Sequence, residues 1–153
     1  MSSGTSFINT NVWLYRLFDD NKMEVVKRTR KRNIAIAITE AEGIIISTQV
    51  GNEVAANLLK KAAFNEGQIK AVIQSLYRRC TVVELNLTVF ESASDIRSRY
   101  NFSFWDSLII SCALSAIASI LYSEDMQDGL VVAGQLEIVN RFKKDQKPRL
   151  SRL

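Results

Sequence analysis

The sequence predicts an α/β protein in which a parallel sheet is covered by helices on both faces. Short apolar runs alternate with segments of helical periodicity along the chain, the pattern of strands joined by crossover helices. One run, Ile44 to Ile46, is β-branched throughout, which suits a strand buried on both sides. The single proline, Pro148, lies near the C-terminal end, so no proline interrupts the alternation. The chain has 153 residues, the size of one ordinary domain, and 47% apolar residues, enough for a substantial core.

Taken in order, Phe7–Ile8 begins a short buried strand, and a helix follows from Val12 to Phe18. Asp19 to Lys22 reads as a turn. Met23 to Glu42 reads as a helix with basic residues from Lys27 to Arg32, stopped by Gly43. After the strand at Ile44–Ile46, Ser47 or Thr48 caps a helix with an apolar stripe of Val50, Val54, Leu58 and Ala62. Asn65 and Gly67 break it, and Ile69 to Arg78 forms the next helix. Thr81 to Leu85 reads as a strand and Thr88 to Tyr100 as a helix. Ser103 caps a long helix through Ala118, and Ile120 to Tyr122 is a strand ahead of the loop SEDMQDG. Val131–Val132 and Leu136–Val139 are short strand candidates. This places a domain at 1–142 and a basic tail, read as mobile, at 143–153.

Composition narrows the chemistry. There is no histidine, which removes histidine bases, Ser-His and Cys-His nucleophile systems and most zinc sites. Cys80 and Cys112 show no metal-ligand spacing and read as reduced core thiols of a cytoplasmic protein. No signal peptide is expected from the opening MSSGTSF, and the uncharged stretch from Ser107 to Tyr122 falls short of the roughly 20 apolar residues of a membrane helix. The net charge of +4 suits either a solvated basic surface or a polyanion partner. The basic run from Lys27 to Arg32 carries the same two readings.

Right-handed crossovers bring the loops after the strands to one edge of the sheet, where ligands bind in such folds. That edge receives Asn9 to Asn11 after the first strand, Glu53 in the helix after the second, Asp106 at the start of the long helix, and Glu124, Asp125 and Asp128 after a later strand. Clustered carboxylates repel and their pKa values rise unless a cation neutralises them. Oxygen ligands favour a hard ion, Mg²⁺ or Mn²⁺, and such a site suits metal-assisted phosphodiester hydrolysis. Each residue also has a structural reading. Asp106 with Ser103 fits a capping box, Glu53 lies off its helix's apolar stripe, and Asn9 suits a cap or turn. Trp13 and Trp105 fit core or dimer packing better than base stacking, and serines at 103, 107, 111, 115 and 119 suggest close packing of their helix.

Four segments carry a family resemblance, in order and over nearly the whole chain. FINTNVWLY at 7–15 resembles the opening of PIN domains, and STQVGNEV at 47–54 resembles their second motif, which ends in an acid. FSFWDSLIISCAL at 102–114 resembles the third, an aspartate opening a small-residue helix, and LYSEDMQDG at 121–129 resembles the fourth. The sequence looks most like the toxin nucleases of toxin–antitoxin pairs, the VapC type.

The resemblance implies a three-layer α/β/α sandwich with a central, mostly parallel sheet of about five strands. It implies a Mg²⁺- or Mn²⁺-dependent endoribonuclease, a homodimer, and inhibition by a cognate antitoxin protein laid across the acidic pocket. Carried over by position, the catalytic and metal-site residues are Asn9, Glu53, Asp106 and Asp125, with Asp128 as an outer member and Asn11 and Ser123 as pocket support. Asn9 departs from the family, which has aspartate there. An amide keeps an acceptor oxygen but loses the charge, which implies weaker ion binding and reduced turnover. Natural loss of activity and deliberate disarming both account for it, and the intact neighbours favour the second. The alternative function is a catalytically inactive PIN fold that acts by binding an antitoxin or RNA. A phospho-acceptor receiver domain fits poorly, since Asp19 and Asp20 lie too far along and no suitable lysine follows the last strand.

Overall fold

A computed structural model describes residues 4–143. The basic tail expected at 143–153 lies, from residue 144 on, outside the described residues. The chain runs β1 (Ser6–Ile8), α1 (Thr10–Leu17), α2 (Val25–Thr39), β2 (Ile44–Ser47), α3 (Thr48–Lys61), α4 (Glu66–Arg79) and β3 (Thr81–Val83). It continues with α5 (Leu87–Arg99), α6 (Phe104–Ser115), β4 (Ile120–Tyr122), β5 (Val131–Val132) and β6 (Leu136–Val139).

The sheet has six strands in the order β3-β2-β1-β4-β6-β5. All neighbours are parallel except β5 and β6, which form an antiparallel hairpin at one edge. The hairpin turn uses Ala133 and Gly134, both at positive φ, with the Gln135 N–H donating to the Val132 carbonyl. That sign pattern is the type I′ turn, whose twist matches paired strands. Helices α5 and α6 pack together, while α1 packs on α2 and α3, and α3 on α4; α3 and α6 each lie against β2. The result is the α/β/α sandwich, with six strands rather than about five. The core fills from both faces of the sheet, with Phe7, Ile8, Ile46, Leu121 and Ile138 each fully buried.

Several element ends differ from the sequence reading for local reasons. Helix α1 starts at Thr10 because Asn9 is its N-cap. Helix α2 starts at Val25 because the Glu24 carboxylate accepts from the Val26 and Lys27 N–H groups. It stops at Thr39, before Gly43, whose φ of 72° suits the turn into β2. Asn65 does not merely break α3; it caps α4 in a reciprocal capping box with Gln68, so Gly67 sits inside α4.

Helix α6 ends at Ser115, short of Ala118. The Ala118 N–H donates to the Ala113 carbonyl and the Ile117 N–H to the Leu114 carbonyl, the paired bonds of a Schellman ending. That ending needs a left-handed residue, usually glycine, and here it is Ile117 at φ 58°. A β-branched residue is strained there, and Ile117 is 75% exposed, so its side chain gives little burial in return. Ile117→Gly should therefore stabilise the fold by about 0.5–1 kcal/mol after the extra chain entropy of glycine is subtracted. A raised urea midpoint with unchanged slope is the expected reading; a lowered midpoint contradicts it.

The basic run on α2 is largely tied down. Lys31 is buried and pairs with Glu124. Arg32 pairs with Asp19, Arg30 donates to the Phe142 and Lys143 carbonyls, and Arg28 donates to the Asp20 carbonyl. Trp13 is a core residue, 2% exposed, with its ring N–H on the Ile8 carbonyl. The serine stripe packs as expected: Ser107 accepts from Arg97, and Ser111 donates to the Val89 carbonyl across the α5–α6 contact. Cys80 and Cys112 are free and buried, and burial pushes both thiols up to about 11. Among the described residues no helix is long and apolar enough to cross a membrane.

Candidate active site

Strand register builds the site. Residues β1 and β4 pair as Phe7 with Leu121 and Ile8 with Tyr122, so the next residues, Asn9 and Ser123, leave the sheet side by side. The Asn9 N–H continues the ladder onto the Tyr122 carbonyl. The Asn9 amide then spans the gap, donating to the Ser123 hydroxyl at 3.3 Å while its oxygen accepts from the Thr10 N–H at 2.9 Å. Ser123 is buried and also accepts from the Asp125 N–H.

A hollow of about 260 Å³ opens at this edge. Asn9, Asn11, Glu53, Asp106 and Asp125 all line it, so four segments remote in sequence do converge. Helix α3 brings Glu53, whose carboxylate accepts from the Thr10 hydroxyl at 2.6 Å. The amide of Asn11, one residue beyond Thr10 on α1, donates to Asp125 at 2.6 Å. Asp106 enters from the first turn of α6, where the Ser103 hydroxyl caps its N–H. The capping role thus coexists with placement in the hollow, because Ser103 accepts from the Asp106 N–H while Asp106 still lines the hollow with the other acids.

Burial pushes the Asp106 carboxyl above its usual range, the charges of Asp125 and Glu53 push it further, and a hydrogen bond with Ser103 opposes them. A carboxyl whose pKa is raised by folding is more easily ionised in the unfolded chain, so its charge works against the fold at neutral pH. Asp106→Asn should accordingly raise Tm at neutral pH by about 2 °C. The gain should vanish as pH falls below the ordinary aspartate range, where both forms are neutral. Thermal melts at two pH values check this, and an Asn variant that melts lower at neutral pH would contradict it.

Asp128 stands apart from the hollow. Its carboxylate accepts from the Asn140 N–H and pairs with Lys143, so it fastens the loop to the end of β6. Glu124 also turns away, to Lys31 and Tyr15.

Thr10, placed at this edge by the sequence with no role of its own, lines the hollow too. Two polar lining residues escaped the sequence reading, Gln49 and Asn57, and with Glu53 they recur at every fourth position of α3, a polar stripe aimed at the hollow. The side-chain oxygen of Gln49 is buried without a hydrogen-bond partner, an acceptor available to a donor held in the hollow. Trp105 also lines the hollow and is 63% exposed, so it is not a core residue.

The donor set suits a hard divalent ion. It is all oxygen, three of its members are carboxylates, and the charges of Asp125 and Glu53 add to the burial that raises the proton affinity of Asp106. Among the described residues no group of three acid or thiol side chains is spaced to hold an ion as it stands. Glu53 and Asp125 are each drawn aside by one hydrogen bond, to Thr10 and Asn11.

A parallel α/β sandwich with an acidic hollow at its switch edge defines a class of domain that binds its ligand beyond the carboxyl ends of the strands, and the comparisons say which family it is. The family model for the PIN domain matches residues 6–127. The chain belongs to the PIN domain family. Among solved structures it resembles a toxin–antitoxin complex from Klebsiella pneumoniae, with a TM-score of 0.60 at 15% identity over 89% of this chain and 97% of the other. It also resembles VapC20 of Mycobacterium tuberculosis, a toxin that cleaves the sarcin–ricin loop, with a TM-score of 0.57 at 15% identity over 76% and 87% of the two chains. A third is VapBC2 of Rickettsia felis bound to a DNA fragment from its promoter, with a TM-score of 0.58 at 17% identity over 89% and 99%. At these identities the likeness is one of fold. No curated protein matches the sequence significantly.

Proposed function

We propose that the protein is a metal-dependent endoribonuclease, the toxin of a toxin–antitoxin pair, with turnover reduced by Asn9. The observation that carries the reading is the convergence of Asn9, Glu53, Asp106 and Asp125 on one hollow. The family membership and the fold shared with toxins of antitoxin-bound complexes support it.

In this reading Glu53, Asp106 and Asp125 hold Mg²⁺ or Mn²⁺. A bound ion would supply positive charge against the phosphate and lower the pKa of a water. Asn11 steers Asp125, and Ser123 fixes Asn9 and the Asp125 backbone. The Gln49 oxygen can accept a hydrogen bond from the water or from the RNA. RNA is the substrate, a cognate antitoxin the inhibitory partner, and the active species a homodimer in the cytoplasm.

Asn9 favours one second reading, a PIN fold that has lost catalysis and acts by binding its antitoxin or RNA. The test is cleavage of a mixed RNA substrate by the Asn9→Asp protein with Mg²⁺, with Mn²⁺ and with EDTA. The nuclease reading expects cleavage with either ion and none in EDTA. Binding without cleavage under all three conditions favours the second reading.

A further inference from the structure

A second hollow, of about 420 Å³, abuts the first and shares Asp106 and Asp125 with it. The two carboxylates thus form a ridge with a cavity on either side. The lining of this second cavity differs in kind. It holds Arg99, the rings of Tyr100 and Phe102, and the amides of Asn101 and Gln127.

Among the described residues Arg99 is the only basic one lining either cavity. It lies in the last turn of α5 and is exposed, and it makes no hydrogen bond or ion pair among the described residues. Its neighbour Arg97 is engaged, donating to Ser107 and lying over the Phe104 ring. A guanidinium left unpaired beside two carboxylates does not serve the fold. Its planar donors suit a phosphate, and the acids on the ridge do not claim it.

The aromatic wall is held in place. The Tyr100 hydroxyl accepts from the Ala133 N–H, and the Tyr100 and Phe102 ring centres lie 5.8 Å apart. Aromatic faces, amide edges and one free cation together match a nucleotide: a base to stack, an edge to bond and a phosphate to neutralise.

Resting on the nuclease reading above, we propose that the second hollow is a nucleotide subsite of the same RNA site. A single strand crosses the Asp106–Asp125 ridge from one cavity to the other, and Arg99 grips a phosphate flanking the cleaved one.

Binding of a fluorescein-labelled single-stranded oligoribonucleotide to the full chain, in Mg²⁺ and over a range of salt, tests this by anisotropy. Arg99→Gln should weaken binding about tenfold. It should also make the dependence of log Kd on log salt shallower by about 0.7, the slope of one phosphate contact to a single strand. Arg99→Lys should restore the slope. Arg78→Gln, the same charge change at an exposed position on α4, should do neither. If Arg99→Gln matches Arg78→Gln, the subsite is wrong. The cleavage assay separates this failure from the other. A chain that cuts RNA in the Asn9→Asp background with no rise in KM on adding Arg99→Gln loses only the subsite. A chain that neither binds nor cuts RNA loses both proposals.

Discussion

Asn9→Asp should raise the rate of Mg²⁺-supported RNA cleavage by at least about 100-fold. The amide now occupies both of its neighbours, accepting from the Thr10 N–H and donating to Ser123. An aspartate of the same shape keeps the first bond. It reverses the second, because the Ser123 hydroxyl can rotate to donate. No backbone change is needed, so the substitution adds charge to an unchanged frame. The added charge carries a cost without the ion, since a fourth carboxylate joins Glu53, Asp106 and Asp125 in one hollow. The variant should melt lower than the Asn9 protein in EDTA and gain more on addition of Mg²⁺, because binding to the folded state alone stabilises it. Paired melts and cleavage rates read both effects. An Asn9→Asp protein whose Tm ignores Mg²⁺ and whose cleavage rate is unchanged would remove the ion from the site.

Lys31→Met should destabilise the fold by about 2–3 kcal/mol, a fall in Tm of about 6–9 °C. Lys31 and Glu124 pair at 2.5 Å with side chains only 11% and 20% exposed, and Tyr15 bonds to both. Removing the ammonium leaves the Glu124 carboxylate largely out of water with only a phenol for company. The remaining exposure of Glu124 keeps the loss below that of a wholly buried pair. Tyr15→Phe removes one hydrogen bond and should cost about 1 kcal/mol.

The same cluster sets an alkaline limit. Burial, with the Glu124 hydrogen bond, pushes the Tyr15 hydroxyl up to about 12. Burial opposes the charge on Lys31, but the bonds to Glu124 and Tyr15 outweigh it and its pKa rises too. Both groups bind their protons more tightly folded than unfolded. Their contribution is therefore full below about pH 10 and lost as pH climbs toward 12. Urea midpoints should stay level to about pH 10 and then fall, and Lys31→Met should flatten that fall. Glu124 adjoins Asp125, so the variant should also lose cleavage activity in the Asn9→Asp background.

Strand and helix order were legible because burial on both sheet faces leaves a plain signature, as at Ile44–Ile46, and because alternation fixes the crossovers. The end of α6 was not, since Ile117 occupies a left-handed position normally marked by glycine. Gly67 misled in the opposite sense, because the Asn65–Gln68 capping box carries α4 across it. The acids of the hollow were legible as residues following strand ends or opening helices. Asp128 sits in the same loop as Asp125, yet its carboxylate accepts from the Asn140 N–H instead, and no sequence pattern distinguishes the two. Gln49 and Asn57 lacked charge and so gave no signal alone; only the fourfold spacing about Glu53 marks them. The basic run on α2 offered two readings, and ion pairs with Asp19 and Glu124 decide for a third, in which cations brace the loops around them.

The short strands at the two margins of the sheet bear on how copies of this chain can meet. β5 contributes two residues and β3 three. Another copy approaching either margin finds too little free backbone to zip onto, and main-chain pairing across so few residues is weak. Any self-association of the described residues would then fall to side chains on the helical flanks, where Leu87 and Phe90 of α5 already stand open to water.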